Sequence, residues 1–583
     1  MAESNEIAND MESSNSIEED GENFDENKLA RDGINMMLNN KFDDAFQLFQ
    51  KYKEDSPLMQ GGYSFVFFMQ GLMSYEEEQM DKALKALEET EKKCEVSDGF
   101  VKSIRKKLSK KKKDKTAVSV EERIQRQVIV GDSLLYQSIL VFTGQDIPSY
   151  IKGGWLLRKA WKIYEKLYKE ITSLRDKSKL KKSESKSSIS NSSMSSEGPI
   201  DGNDNEIPSD VLERLQGAVN FGYGTFQICV SMIPPKIIKI IEFLGFEGDR
   251  VLGLKSLEFT CNSDAMNAPL ATLGLLWYHT VLRPFFALDG ANGYDAGCVE
   301  AENLIKAKQA TFPNSCLFHF FQGRVHRLRK QMDLSLKLYN EAYKSADGQK
   351  ELELMCLYEI GWCNMMRLNW REGLAAFTRL RQDTKWSKCY YTYMEAVCLG
   401  SMGDTKGAND LFKMVPGLLK KKNNQIEAYV SRKAEKIVKI LPSQEYCRLL
   451  TLELVFLWHA LPTLTPEELK PFHDVCDMQT DPRTFHLKCL LEGAIFHQLG
   501  EEEMAMQCLD ESLARHSGMK DELHVPPFAK FEMASIYMKK PETVGKAKSL
   551  LTEIKEKHKD YDFENRLVVR VNNALKQMKS EKA

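Results

Sequence analysis

The sequence predicts an all-α protein in which antiparallel helix pairs stack into a solenoid, and three observations lead to this prediction. The first is a frame of four positions, small, small, aromatic and small, separated by 12, 4 and 3 residues. The second is that this frame occurs three times in register between residues 317 and 415, with first positions 38 and then 35 residues apart. The third is that the frame returns near both ends of the chain. The central copies are Gly323, Ser335, Tyr339 and Ala342; Gly361, Gly373, Phe377 and Leu380; and Ala396, Ala408, Phe412 and Val415.

The spacing of the frame has a physical cause. Its first small residue lets helix A of a repeat approach helix B, and the next two positions lie on helix B and fill the gap to the following repeat. A frame of this kind with a period near 34 residues is typical of tetratricopeptide repeats. Because one helix pair cannot bury its apolar face alone, such repeats must stack. The predicted fold class is therefore a tetratricopeptide-type helical-repeat solenoid, an α-α superhelix.

Copies in the outer parts of the chain bring the array to at least six. The stretch 150–171 also has helix-B spacing at Ala160, Tyr164 and Leu167, and its helix A is expected over residues 133–143. The last copy has its second half one residue late, after the turn at 540–542. The outer copies are Gly33, Ala45, Phe49 and Tyr52; Gly71, Ala83, Leu87 and Thr90; Gly493, Ala505, Leu509 and Ser512; and Ala534, Ala547, Leu551 and Ile554.

The composition is that of an ordinary soluble protein. The chain of 583 residues is 42% hydrophobic and 28% charged, with a formal net charge of -3, so no global charge predicts a nucleic-acid partner. Its 13 cysteines include no CxxC pair and are expected to be free and buried. The acidic N-terminus lacks the apolar core of a signal peptide.

These patterns divide the chain into six regions. The second, fourth, fifth and sixth regions are expected to be helical, and the first and third are polar enough to predict disorder. Residues 462–483 contain four prolines and are expected to be mostly connection. The regions are an acidic N-terminus (1–26), N-terminal repeats (27–175), an insertion (176–206), central apolar helices (207–310), core repeats (311–440) and C-terminal repeats with a capping helix (441–583).

Two stretches raise the question of membrane contact. The run Lys102 to Lys115 is strongly basic, which suits a solvated linker, an anionic-lipid patch or a nuclear-localisation signal. Residues 215–235 contain no charged side chain. Five polar residues interrupt this second stretch and Pro234-Pro235 ends it, which favours a buried helix pair over a membrane span.

The sequence contains no GxxxxGK[ST], GxSxG or HExxH motif, and no GxGxxG between a strand and a helix, which argues against an enzyme. One pattern resembles a zinc site: His473-x₂-Cys476 followed by His486-x₂-Cys489, with His497 beyond. The alternative, which we favour, is that these are ordinary helix positions. His279 with Asp289 is a weak acid/base candidate, and a core histidine is the favoured interpretation. No catalytic, metal-binding or cofactor-binding residue is predicted.

A partner surface is better sought on the concave side of the solenoid, which helix A lines. Arginine and aromatic residues are enriched there in the core repeats, as they are in interface hot spots. Two alternatives remain: the groove is open to a partner, or the chain fills it with its own apolar segments. The candidate partner-binding residues are Arg324, Arg327, Tyr358, Trp362, Tyr390 and Tyr393.

Seven contiguous strings give the chain a specific family resemblance. It resembles the tetratricopeptide repeat protein 39 family from about residue 30 to 575, and most of all its C-type branch. The resemblance implies an all-helical intracellular scaffold without known catalytic residues, and for this branch a role in cilium assembly. The strings are YIKGGWLLRKAWKIY (150–164), NFGYG (220–224), APLATLGLLWYHTVLRPFFALDG (268–290), LYEIGWC (357–363), KKNNQIE (421–427), KPETVG (540–545) and YDFENRL (561–567).

These observations indicate two candidate functions. The favoured one is a non-enzymatic adaptor that binds protein partners through its helical repeats, in the cytoplasm or at the ciliary base. The alternative is a lipid- or membrane-associated regulator of lipid handling, a role that the resemblance implies for other branches of the family. No nucleic acid, small-molecule substrate or cofactor is expected.

Overall fold

The computed structural model describes residues 25–95, 119–144, 146–189, 207–232, 248–288, 294–346, 348–384, 386–420 and 424–580. Within these residues the regular structure is helical throughout, with no strand, so the predicted all-α solenoid is confirmed. The acidic segment before Asp25, the Lys102 to Lys115 run and Asp289 lie outside the described residues.

The described part of the N-terminal arm contains eight helices, and consecutive helices pack in pairs. Local capping fixes where they begin: Asp25 accepts hydrogen bonds from the Asn27 and Lys28 amides, and Ser56 caps the third helix just before Pro57. The helices are α1 (Glu26–Leu38), α2 (Phe42–Tyr52), α3 (Pro57–Ser74), α4 (Glu77–Cys94), α5 (Val120–Phe142), α6 (Ile147–Ile189), α7 (Ser209–Ser231) and α8 (Arg250–Cys261).

Aromatic residues of helix B are wedged between glycines of two helices A. A Cβ atom added to Gly33 of α1 would lie 2.4 Å from the Phe49 ring, and one added to Gly62 of α3 would lie 2.2 Å from it. Any side chain at these glycines would therefore have to displace a fully buried ring. The frame thus marks the positions where neighbouring helices approach most closely.

One predicted boundary in this arm is wrong. The insertion was expected to begin at residue 176, but α6 continues to Ile189. The stretch 176–189 contains no proline or glycine, and its five lysines and single glutamate favour helix formation. A polar helix can continue into solvent without burying a face, and the side chain of Leu180 is 63% exposed. Residues 190–206 of the predicted insertion lie outside the described residues.

The central part contains the three repeats in register. An ideal Cβ on Gly361 would lie 3.0 Å from the ring of Phe377, as the frame predicts. Thr280 lies in a π-helical turn, Tyr278–Leu282, which joins α9 to α10. The helices are α9 (Ala268–Trp277), α10 (Arg283–Phe286), α11 (Cys298–Lys308), α12 (Cys316–Leu328), α13 (Met332–Ser345), α14 (Lys350–Met366), α15 (Trp370–Asp383), α16 (Lys388–Ser401) and α17 (Thr405–Met414).

A second expectation is wrong in the C-terminal arm, where a helix occupies Pro466–Asp477 instead of the predicted connecting segment. Thr465 and Glu468 form a capping box at its start, and Pro466 takes the first helical position, where its missing N–H is not needed. The helices of this arm are α18 (Gln425–Ile440), α19 (Gln444–Leu457), α20 (Pro466–Asp477), α21 (Phe485–Leu499), α22 (Glu502–His516), α23 (Val525–Tyr537), α24 (Val544–Lys557) and α25 (Glu564–Ser580).

Both ends of the solenoid return to its centre. The last helix, α25, buries Leu567 and Val571 against α24, and Arg570 Nη1 donates to the Phe285 carbonyl at 3.0 Å. At the other end, Asn40 Nδ2 donates to the Ser345 carbonyl at 2.8 Å, and the Asn40 side-chain oxygen accepts from the Cys316 amide. These contacts fold both arms against the central repeats.

Candidate partner-binding cavity

The two predicted arginines are paired with a glutamate of their own chain. Arg324 Nη1 lies 2.7 Å from Glu359 Oε1, and Arg327 Nη1 contacts Glu359 Oε2. Arg324 also donates to the carbonyl of Thr280 in the π-helical turn, at 3.3 Å. The arginine side chains are 13% and 14% exposed, so the three groups form a buried cluster that holds α12 against α14.

The charges in this cluster match one another. Burial acts to raise the pKa of Glu359, but the neighbouring charges of Arg327 and Arg324 outweigh it, and the pKa lies below its ordinary value. Burial acts in the opposite sense on Arg327, and Glu359 raises the pKa of that guanidinium above its ordinary value. Both charged forms are therefore favoured, and removing one partner would leave a buried uncompensated charge.

Three of the four predicted aromatic residues are also inside the protein. Trp458, which follows α19, stacks on Trp362 at 5.6 Å between ring centroids and on Tyr390 at 5.8 Å. Tyr393 is fully buried and packs edge-on against Phe412. The chain itself fills the groove at these residues, as in the second of the two alternatives. The expectation that they form an exposed partner surface is therefore wrong.

Tyr358, in contrast, faces open space. It borders a cavity of about 820 Å³ that lies where the ends of helices in the N-terminal arm meet the core repeats and the start of α25. The cavity is lined from the N-terminal arm by Met73, Tyr75, Phe142, Tyr150 and Met232; from the core repeats by Phe320, Leu354, Met355, Tyr358, Trp386 and Tyr391; and from the C-terminal arm by Asn424, Ile426, Asn565 and Arg566, among others.

The two sides of the cavity touch at one edge. The ring of Tyr75, in the turn after α3, meets the ring of Trp386 edge-on, with centroids 6.4 Å apart. Trp386 in turn contacts Tyr391 at 5.5 Å. Aromatic side chains in the walls supply large contact areas at low entropic cost, and the flexible methionines can adapt to a bound segment. The arrangement can therefore accept an apolar segment.

Sequence reasoning missed Arg566, which forms part of the cavity's C-terminal wall. Its guanidinium lies over the rings of Phe563 at 4.7 Å, Trp458 at 5.2 Å and Phe285 at 5.5 Å. It belongs to α25, the predicted capping helix. No period-based signal identifies it, because α25 follows the last repeat and is outside the frame.

The histidines of the zinc-like pattern are separated, each beside its own carboxylate. His473 Nδ1 lies 3.2 Å from Asp477, His486 contacts Glu522, and His497 Nδ1 lies 2.7 Å from Glu532. Within the described residues, the group that could hold a metal ion is a different one. The ligand atoms of this group lie within 4.8 Å of one another. Lys488 Nζ, however, already lies 3.6 Å from the carboxylate of Glu492, which belongs to the group. The group is His473, Asp477 and Glu492.

The other candidates from the sequence also lie in the core. His279 is buried beside Gly297, and its expected partner lies outside the described residues. All 13 cysteines are free, and ten of them are buried, as predicted. Among the described helices, none combines the length and the apolar composition needed to cross a bilayer.

Comparison with known protein families identifies the family of the chain. The model of the Iml2/Tetratricopeptide repeat protein 39 family matches residues 31–499. The chain belongs to this family. Two solved structures are similar. The crystal structure of the yeast Tom70 is 12% identical over 89% of this chain and 98% of that chain, with a TM-score of 0.29. The crystal structure of Ypp1 is 9% identical over 92% of this chain and 86% of that chain, with a TM-score of 0.22.

Proposed function

We propose that this member of the Iml2/Tetratricopeptide repeat protein 39 family is a non-enzymatic scaffold that binds protein partners in the cavity between its arms. The observation that carries the proposal is the cavity itself, with about 820 Å³ of space and aromatic, aliphatic and thioether walls. Its volume lies within the range of about 300–1,000 Å³ that is usual for binding pockets. Helical-repeat families are typically non-catalytic, which agrees with this role.

The cavity has the composition of an interface centre. Tyrosine, tryptophan and methionine are enriched in the buried centres of protein interfaces, where they contribute most of the binding free energy. Residues from α3, α14 and α25 all reach it, so one bound segment would contact three separated parts of the chain. Such a segment would also stabilise the contact between the two arms, because it binds only the assembled form.

The finer part of the proposal concerns the biological setting. We propose that the chain is of the C-type branch and acts in cilium assembly, in the cytoplasm or at the ciliary base. The support for this part is the resemblance of the seven strings quoted above. Proximity labelling in ciliated cells tests it, and an interaction set without ciliary components would contradict it.

The lipid-associated alternative gains no specific support. The described part of the apolar passage forms α7, and its residues Leu212, Leu215 and Val219 are buried in a cluster with α5 and α6. Residues 233–247 of that passage lie outside the described residues. Co-sedimentation with anionic vesicles remains the direct test of this alternative.

Met355→Arg tests the scaffold proposal. Met355 lies on α14 and lines the cavity while remaining partly exposed, so an arginine there should obstruct the cavity without entering the core. The matched control is Leu334→Arg on α13, whose side chain is 45% exposed and does not line the cavity. We expect Met355→Arg to lose most labelled partners and Leu334→Arg to keep them, with both thermal unfolding midpoints near that of the wild type. Recovery of every partner by the first variant would contradict the proposal.

A further inference from the structure

The Arg566 guanidinium is the unusual feature of the cavity. Among the described residues, no carboxylate forms an ion pair with it, and its Nη1 is buried without a hydrogen-bond partner. The contrast with Arg324 is direct, because that side chain has both Glu359 and a backbone carbonyl. Arg566 is thus a partly buried cation on the wall of an open cavity, and no described carboxylate pairs with it.

Such an arrangement costs folding free energy. Burial lowers the pKa of Arg566, because no acidic group offsets the loss of water. Its three aromatic neighbours provide cation–π contacts, which compensate only in part. An anionic group of a ligand would remove the remaining cost and would form charge-assisted hydrogen bonds to the planar fork.

The other charges of the cavity restrict the kind of anion. Four carboxylates line it, those of Glu76, Glu351, Glu359 and Asp383, and Lys350 is a second cation of the wall. Glu359 is already paired with two arginines, and the Asp383 side chain is 41% exposed. These carboxylates would repel a strongly anionic surface such as an acidic membrane. A single carboxylate that enters among apolar side chains meets Arg566 and avoids that repulsion, and basic residues beside it would favour the partly exposed acids.

We propose that the cavity binds an extended segment of a partner protein in which one aspartate or glutamate side chain pairs with Arg566. Aromatic or aliphatic side chains on both sides of this acid contact the walls, since both arms supply apolar residues. The inference rests on the proposed scaffold function and specifies its ligand.

The test is a selection from random-sequence peptides with acetylated and amidated ends, so that only side chains can supply a carboxylate. The full chain is the target, and Met355→Arg identifies binders that need the cavity. We expect aspartate or glutamate to be enriched at one position of the cavity-dependent binders, flanked by apolar residues. Replacing that acid by its amide should weaken binding by about 10- to 100-fold. Arg566→Met should weaken the acidic peptide by a similar factor and leave the amide peptide unchanged.

The outcomes separate this inference from the proposed function. The inference would be wrong if the cavity-dependent binders showed no enriched acid. It would also be wrong if replacing the acid by its amide still weakened binding to Arg566→Met. Either result would leave the scaffold proposal intact. Absence of any cavity-dependent binder would overturn both. Preference for the free C-terminus in a parallel library with unblocked ends, or binding only to phosphatidylserine vesicles, would also overturn the inference.

Thermal unfolding supplies a second readout. A structural arginine stabilises the fold, so Arg324→Met should lower the unfolding midpoint because Glu359 loses one of its two cations. Arg566→Met removes an uncompensated charge and keeps the apolar stem, so its midpoint should equal or exceed that of the wild type. A large loss of stability in Arg566→Met would show that the residue serves the fold, and this result would overturn the inference.

Discussion

In the N-terminal arm, the carboxyl group of Asp132 is buried on α5 and accepts a hydrogen bond from the Tyr164 hydroxyl at 2.6 Å. In the C-terminal arm, Lys433 is buried on α18 between Glu453, 2.8 Å away, and Glu522. Each site lies between two packed helices, α5 and α6 in the N-terminal arm and α18 and α19 in the C-terminal arm. The first contains one acid with a neutral partner, and the second contains a network of opposite charges.

The pKa values of the acids move in opposite directions. Burial raises the pKa of Asp132 to about 7, and the hydrogen bond from Tyr164 offsets only part of that rise. Burial also acts to raise the pKa of Glu522, but Lys433, His486 and Lys436 outweigh it, and the pKa lies well below its ordinary value. The comparison shows that the repeat frame specifies where helices approach, whereas nearby cations decide whether a buried acid is ionised.

Lys433→Met should have the largest effect, because it leaves Glu453 and Glu522 buried without their shared cation. We expect a loss of about 3–5 kcal/mol in the stability of the C-terminal arm. The measurement is hydrogen exchange of peptides from α18 and α19, since local opening reports the arm separately from the rest.

The control for this variant is Lys436→Met, which also removes a cation next to Glu522. The Lys436 side chain is 25% exposed and that of Lys433 is 3% exposed, so solvent compensates more of the loss at Lys436. Equal effects of the two substitutions would show that burial does not distinguish the two lysines, contrary to our account.

Asp132 should make the N-terminal arm sensitive to pH in the physiological range. The unfolded chain releases this proton near pH 4, its ordinary value, and the folded chain holds it to about pH 7. The folded state is therefore favoured at low pH, and its stability falls as pH rises, by about 3 kcal/mol between about pH 4.5 and 7. Neighbouring Tyr136 and Tyr164 have raised pKa values and do not titrate there.

Asp132→Asn is the matched variant, since the amide oxygen can still accept from Tyr164 and carries no titrating proton. Hydrogen exchange of α5 and α6 should lose its pH-dependent destabilisation in this variant, after correction for the intrinsic exchange rate. The C-terminal arm should keep the opposite trend, losing stability as acid protonates Glu522. An unchanged pH profile in Asp132→Asn would assign the dependence to another group.

Short-range contacts were predictable from the sequence. The frame identified Gly33, Phe49, Gly361 and Phe377 because each of its spacings reflects contact between adjacent helices, which local sequence determines. The sequence also contains a signal for the pairing of Arg324 and Arg327 with Glu359. The partners are separated by 35 and 32 residues, close to one repeat, and opposite charges at that distance on helix A predict a contact between repeats.

The filling of the groove was not predictable in this way. Trp458 reaches Trp362 and Tyr390 because α19 packs against α14 and α16, which it does not follow directly in the chain, and this packing depends on the rotation between successive repeats. The prolines of 462–483 predict connection, but proline at the first helical position is favourable, and a helix therefore forms at Pro466–Asp477. Arg566 lies on the capping helix, where no repeat defines an equivalent position.

The smallest expected effects test whether the frame is common to both arms. An added Cβ would lie 2.9 Å from the Tyr164 ring at Gly131, and 2.7 Å from Leu509 at Gly493. Alanine at either position should destabilise its arm by about 1–2 kcal/mol, because overpacking exceeds the gain of about 0.5–1 kcal/mol in helix propensity. Gly545→Ala on α24 is the control, since nothing lies within 4 Å of its added Cβ, and it should be neutral or stabilising. Hydrogen exchange measures the three variants. If Gly131→Ala and Gly493→Ala both resemble the control, the close approach of helices A and B does not depend on glycine, and the two arms would share topology without sharing the packing that the frame describes.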